Sequence, residues 1–229
     1  MINAVVFYSN SGHSKKIAEY FSEQLNYPLV NIEKNDNYSF DNLVLVFPVH
    51  CQNIPYIVKS FLEKASIKAL TVAATYGKIC CGNVIYEIQN QYKMNVVAGA
   101  YIPTKHSYID DDVEFLDFDK LLPIIDKVKA PKPVKIPRLY KNPLANVSPA
   151  FRSRMGVKIY NNYSNCKNCN ICAEKCSLNA IHYGIPSDKC MRCLKCVEIC
   201  PKKALSVKTV FPLKQYLRRQ NKKELIIYV

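Results

Sequence analysis

CKNCNICAEKC at residues 166–176 returns as CMRCLKCVEIC at residues 190–200, and the reading of this doubled stretch decides the fold of the C-terminal half. Cys166, Cys169, Cys172 and Cys176 are matched in spacing by Cys190, Cys193, Cys196 and Cys200. Each quartet is followed at the same distance by an apolar pair, Ala180–Ile181 and Ala204–Leu205. Two copies of one supersecondary unit, joined by a short turn over Gly184–Asp188, predict a pseudo-symmetric miniature domain. A short helix is expected after each last cysteine.

Eleven cysteines in 229 residues could suit a disulfide scaffold. However, no basic run precedes an apolar segment at the N-terminus, so a secretory signal is not expected and the cytoplasm is the predicted compartment. There, dense and regularly spaced thiols read as metal ligands. Zinc is one candidate, because C-x2-C pairs bind it, but zinc sites join two separated pairs. Here three cysteines fall within seven residues in each copy. Cys51, Cys80 and Cys81 lie outside the pattern and are expected as buried packing residues.

With 49% hydrophobic and 22% charged residues the chain is expected to be globular. No run approaches the ~18 consecutive apolar residues of a membrane span. The formal charge of +14 is unevenly divided. Residues 1–119 hold nine Lys and Arg against thirteen Asp and Glu, whereas residues 120–229 hold twenty-three against five, a net of +18. A basic half suits an acidic partner, nucleic acid or an anionic membrane.

The spacing C-x2-C-x2-C-x3-C resembles the bacterial two-cluster ferredoxins over about residues 157–208. In that family the fourth cysteine of each run ligates the other cluster. The resemblance therefore implies one 4Fe–4S cluster on Cys166, Cys169, Cys172 and Cys200 and a second on Cys176, Cys190, Cys193 and Cys196. One departure stands out: Pro201 follows the second quartet as the family pattern asks, but Ser177 follows the first. That bears on loop shape and hydrogen bonding at one cluster. Lys167, Lys175, Lys189, Arg192 and Lys195 sit among the ligands and read as either a solvated rim or a docking surface.

The first half alternates strand-like and helix-like segments. Apolar runs at Ile2–Tyr8, Leu43–Phe47, Ala69–Thr75 and Val96–Ile102 predict strands. Helical spacing marks Ile17–Leu25, Ile57–Leu62, Ile79–Tyr92 and Leu116–Val128. Such alternation implies a parallel sheet covered on both faces. Prolines 131, 133, 137, 143 and 149, interleaved with Lys and Arg, suit an extended linker, the alternative being an ordered excursion packed on one domain. The expected fold class is α/β, a doubly wound parallel sheet followed by a small α+β domain. Its expected divisions are residues 1–129, a linker at 130–156, the cysteine domain at 157–212 and a basic tail at 213–229, with Lys214–Lys223 as a solvated helix face.

The turn after the first strand reads Tyr8-Ser9-Asn10-Ser11-Gly12-His13-Ser14. Hydroxyls and amides at a helix N-terminus suit a phosphate, and Gly12 permits a tight turn; a serine-rich helix cap is the plainer reading. The position resembles the flavodoxin phosphate loop. Two further loops follow at strand ends where flavodoxins hold their ring: Pro48-Val49-His50-Cys51-Gln52-Asn53, and Thr75-Tyr76-Gly77 continuing to Cys81-Gly82-Asn83. Residues 1–129 thus resemble a flavodoxin, which implies FMN bound by all three loops, with Tyr76 stacked on the ring. A flavodoxin-like domain followed by a two-cluster ferredoxin domain is the arrangement of the EFR1-type flavodoxin/ferredoxin fusion family. His13 and His50 are candidates for phosphate and flavin contact or for plain surface positions. Asp110–Asp112 reads as a solvated acidic turn.

What the resemblance implies is an electron-transfer protein that passes electrons between FMN, two 4Fe–4S clusters and an external redox partner. The alternative is an FMN-dependent reductase of a small molecule fed by the clusters. With cofactors bound the cysteine half falls to about +14 and the chain to about +8. An acidic carrier of the ferredoxin or flavodoxin type is therefore the expected partner. No G-x-G-x-x-G follows a strand, which argues against a nicotinamide domain. No helix-turn-helix or aromatic-interleaved basic strip supports nucleic-acid binding.

Overall fold

The computed structural model describes residues 2–108, 114–115, 117–219 and 224–229; the acidic turn at Asp110–Asp112 and the end of the Lys-rich stretch lie outside the described residues. The chain divides into two compact units, one of residues 1–105, 113–142 and 222–229, the other of residues 106–112 and 143–221.

The first unit is built from β1 (Asn3–Phe7), α1 (His13–Leu25), β2 (Leu29–Asn31), β3 (Ser39–Pro48), α2 (Tyr56–Lys64), β4 (Ser66–Tyr76), α3 (Val84–Asn90), β5 (Val96–Pro103) and α4 (Leu122–Lys129). Its sheet runs β2-β1-β3-β4-β5, all parallel, the flavodoxin-like strand order. A sixth strand, β10 (Ile226–Tyr228), adds antiparallel to the free edge of β5. The expected basic tail therefore ends in a strand, and its apolar residues cover an edge that would otherwise present unpaired N–H and C=O groups.

Period-2 alternation sends each strand's side chains to two cores. Leu43, Leu45 and Phe47 face α2 and α3, among them Val58, Phe61, Ile85 and Ile88. Val44 and Val46 face α1 and α4, whose Ile17, Phe21, Ile124 and Val128 are buried there. Helix α1 stops where Asn26 adopts φ 53, a left-handed cap, just before Pro28.

Residues 130–142, expected as part of a linker, are an ordered excursion on this unit. Val134 N–H donates to Val96 O at 3.0 Å, the Gln89 side chain brackets Val134 and Ile136, and Lys141 pairs with Glu87 at 2.6 Å. Ile136 is buried in the α2/α3 core. Proline removes backbone donors but leaves side chains free to bury, so a proline-rich stretch packs as readily as it tethers.

The second unit contains α5 (Pro149–Gly156), β6 (Val157–Asn161), α6 (Ile171–Glu174), β7 (Ile181–His182), β8 (Ile185–Pro186), α7 (Lys195–Glu198), β9 (Leu205–Thr209) and α8 (Phe211–Arg219). β6 pairs with β9 and β7 with β8, both antiparallel. The repeat is structural as well as sequential: α6 and α7 are equivalent, and positive φ recurs at Asn168, Asn170 and Asn179 in one copy and at Arg192, Leu194 and Lys203 in the other. The short helices lie before Cys176 and Cys200, not after them as the sequence suggested. After each last cysteine the backbone turns back, and Ala180 and Ala204 N–H each reach that cysteine's Sγ at 3.3 Å.

Candidate functional site

The three loops expected to hold a flavin leave the C-terminal ends of β1, β3 and β4. Register brings them side by side: Phe7 opposes Val46, Pro48 opposes Thr75, and Val49 N–H donates to Thr75 O at 2.7 Å. Between β1 and β3 the strand order reverses direction, which is where open α/β sheets open a crevice for ligands. Gly12, at φ 87, turns the chain into the thirteen-residue helix α1. The first N–H groups of that helix have no carbonyl of their own helix to reach, and the aligned peptide dipoles make this end positive.

The side chains there are more committed than the sequence suggested. Ser9 Oγ accepts from Gly12 N–H at 3.1 Å, and Ser14 Oγ bonds Thr75 Oγ1 at 2.8 Å in the interior. His13 Nδ1 lies 2.8 Å from Glu114 Oε1, which Lys16 Nζ also meets at 3.0 Å. The bonds from Lys16 first and His13 second hold the Glu114 carboxyl below its usual range, so a negative charge sits beside the first turn of α1. Asn10 Nδ2 is 2.7 Å from His50 Nε2, while Asn10 Oδ1 is buried with no partner. That orphaned acceptor, with Ser11 and the amides of the first turn, is what the loop retains for a polar ligand. Burial pushes the His50 imidazole down to about 4, so it is neutral near pH 7.

At the ring end the structure corrects two expectations. Tyr76 is 5% exposed and its hydroxyl donates to Glu224 O at 2.5 Å, so it does not stack on a ligand. The alternation along β4 places it on the α2/α3 face with Leu70, Val72 and Ala74. Cys51 is exposed, not buried; Cys80 is half-buried and Cys81 buried. Cys51 and Gln52, at φ 49 and 70, form the middle of a tight hairpin in which His50 and Asn53 exchange both backbone hydrogen bonds. Gly82 packs against this turn: a Cβ there would collide with Gln52 O.

In the second unit the eight cysteines separate into two cavities. Cys166, Cys169, Cys172 and Cys200 line the first, with Ile171, Lys167 and Lys202. Cys176, Cys190, Cys193 and Cys196 line the second, with Leu194 and Lys195. Each cavity thus takes three thiols from one copy of the repeat and the fourth from the other. Among the described residues no group of three or more His, Cys, Asp or Glu side chains is placed to hold a single metal ion, whereas each cavity is ringed by four thiols.

The two cavities differ in surroundings. Cys169 is exposed and the other three thiols of the first are half-buried, but Cys190 and Cys196 are buried. Burial pushes Cys193 up to about 11 and Cys196 up to about 12, with neighbouring thiols adding to the effect. These sulfurs hold their protons unless a metal displaces them. At Cys200 burial also acts upward, but N–H donors from Ala204, Lys202, Leu205 and Lys203 outweigh it and lower the thiol's pKa. Such N–H donors to sulfur are the usual means by which a protein holds and tunes an iron–sulfur cluster.

A few partners could not be foreseen. Arg192, buried at φ 57, donates from Nε to Val157 O at 3.2 Å, and its own carbonyl accepts from the Tyr108 hydroxyl at 2.6 Å. Glu114, 101 positions from His13, carries no local signal either.

No helix among the described residues is long and apolar enough to cross a membrane. No curated protein matches the chain. Among solved structures the chain is similar to a flavodoxin from the domain Archaea, at 17% identity over 56% of this chain and 99% of that one, TM-score 0.41. It is also similar to a short-chain flavodoxin associated with a PDU bacterial microcompartment, at 15% identity over 57% and 98%, TM-score 0.37. A third is the Trp repressor binding protein from Bacillus subtilis, at 14% over 55% and 94%, TM-score 0.35. The 4Fe–4S binding domain family matches residues 183–206, which include Cys190, Cys193, Cys196 and Cys200. The chain therefore carries a segment that matches a 4Fe–4S binding domain together with an α/β unit of flavodoxin-like strand order.

Proposed function

We propose that this protein is an electron carrier that holds FMN on the sheet unit and two 4Fe–4S clusters in the cysteine unit, and exchanges electrons with an acidic redox protein. The observation that carries the reading is the crossed grouping of thiols, Cys166, Cys169, Cys172 and Cys200 around one cavity and Cys176, Cys190, Cys193 and Cys196 around the other. When bound, the clusters take up and release single electrons and the flavin exchanges two.

The chain's own residues hold and tune. The thiols fix the clusters, while Ala180 and Ala204 N–H donate to the two cysteines that cross between copies. Ile181 and Leu205 pack with Cys196 and keep water from the space between the cavities. On the sheet unit, the amides of the first turn of α1, with the Ser11 hydroxyl, suit the flavin phosphate, while Asn10 Oδ1, an acceptor, suits a hydroxyl of the ligand. The turn at His50–Asn53 and the Gly77–Gly82 loop suit its ring. Carrying both cofactors on one chain makes transfer between them intramolecular, at the high effective concentration a short tether gives.

The net of +18 over residues 120–229 supports an acidic partner. Reduction by acidic carriers should slow as ionic strength rises, and a salt-insensitive rate would remove the docking claim.

Anaerobic purification with iron, sulfide and flavin analysis tests the whole reading. Two clusters and one FMN per chain are expected. Zinc in place of iron overturns it, and iron without flavin confines it to the cysteine unit.

A further inference from the structure

The repeat that builds the second unit is unequal at one position facing the cavities. Lys195, the first residue of α7, occupies the place that Ile171 occupies in α6. Each lines the cavity of its own copy. Lys195 is only 8% exposed, which is rare for an ammonium group. Its backbone N–H bonds Cys193, and its charge acts on that thiol. The lysines of the first cavity, Lys167 and Lys202, are exposed.

We propose that Lys195 raises the reduction potential of the cluster held by Cys176, Cys190, Cys193 and Cys196, and that Ile171 withholds the same effect from the other cluster. The inference rests on the cluster reading above and adds to it the residue that makes the two clusters unequal. The physical argument is one of dielectric. Reduction adds a negative charge to a cluster that is already about −2, so a fixed cation nearby favours the reduced form. A charge in water acts through a dielectric of about 80, one near the protein interior through about 20. One buried ammonium therefore outweighs the two solvated ones of the first cavity. The opposing effect is burial of the cluster itself, which disfavours added charge; Lys195 offsets it where the thiols are most enclosed.

An anaerobic redox titration of the full chain, read by the paramagnetic signals of the reduced clusters, tests this. Lys195→Met, which keeps the length of the side chain, should lower one midpoint by about tenfold in the reduction equilibrium, or roughly 59 mV for one electron. The other midpoint should stay in place, and Lys195→Arg should restore the first. Ile171→Lys should raise the midpoint that Lys195→Met leaves alone. Iron and sulfide are measured in every sample. If the unaltered chain holds no clusters, the functional reading fails. If it holds both and neither substitution moves a midpoint, this inference alone is overturned. Should Lys195→Met lose a cluster, the direction of the Ile171→Lys shift decides: upward supports the proposal, unchanged or downward ends it.

Discussion

The two copies of the cysteine repeat share a backbone but not an environment. At the three matched positions with positive φ, the first has Asn168, Asn170 and Asn179 and the second Arg192, Leu194 and Lys203. Asparagine visits the left-handed region readily, whereas longer side chains enter it at about 1–2 kcal/mol each. The second copy accepts that strain and gains burial, for Leu194 and Arg192 are enclosed where Asn168 is exposed. One loop follows its local preferences and stays open; the other is held in shape by its surroundings and closes over its thiols.

The severest way to break this comparison is to cut a crossed ligand. Cys176→Ser should empty the enclosed cavity although the residue belongs to the first copy, and Cys200→Ser should empty the open one. Iron analysis should show about half the metal lost in each case, because each cavity takes four of the eight thiols. If Cys176→Ser instead spares the enclosed cluster, the ligands do not cross.

Next in size is the order of metal loss. With two clusters bound as proposed, a chelator under mild oxidant should reach the one beside exposed Cys169 before the one beside buried Cys190 and Cys196. Iron release should be biphasic with equal amplitudes. Cys176→Ser should abolish the slow phase. A single phase would mean that the difference in exposure has no consequence for the clusters.

Leu194→Asn sharpens the comparison energetically. It grants the second loop the residue that Asn170 gives the first, relieving about 1–2 kcal/mol of backbone strain. It also removes a buried leucine side chain worth about 1.5–3 kcal/mol and buries an amide in its place. Burial should win, and the holoprotein should lose about 1–3 kcal/mol in denaturant unfolding. A gain in stability would show that the strain is larger than the packing it permits.

Strands were legible because Val, Ile, Leu and Ala runs between polar turns leave a parallel sheet little alternative. β2, at three half-buried residues, carries too little pattern to announce itself. β10 was hidden differently: LIIYV at residues 225–229 is apolar, but its partner β5 lies more than a hundred positions upstream. The grouping of thiols into two cavities is the one that the ferredoxin resemblance implies. The three loops lie at the strand ends where they were expected, yet several of their side chains are already engaged. Ser14 pairs with Thr75 across 61 positions, and which face Tyr76 takes depends on strand register. Hydrogen bonds between distant segments have no local signature, so a loop that reads as free donors folds with several already spent. Lys195 and Arg192, read from the sequence as part of a solvated rim or a docking surface, are buried instead, and that enclosure has no local signature.

The smallest effect isolates strain from burial. Lys203 is exposed at φ 46, so unlike Leu194 it gains no enclosure from its left-handed backbone. Its backbone N–H is one of the donors toward Cys200, and that group is present whatever the side chain. Lys203→Gly should therefore remove strain and leave the donor in place. Against this stands the greater freedom of glycine in the unfolded chain, a penalty of roughly 0.5–1 kcal/mol. Because the strain is about 1–2 kcal/mol, the balance should favour the variant by up to about 1.5 kcal/mol. Thermal unfolding of the holoprotein under nitrogen should move up by a few degrees, with iron content unchanged. A drop would mean that the lysine side chain itself supports the loop, and the second copy would then be stabilised by charge as well as by enclosure.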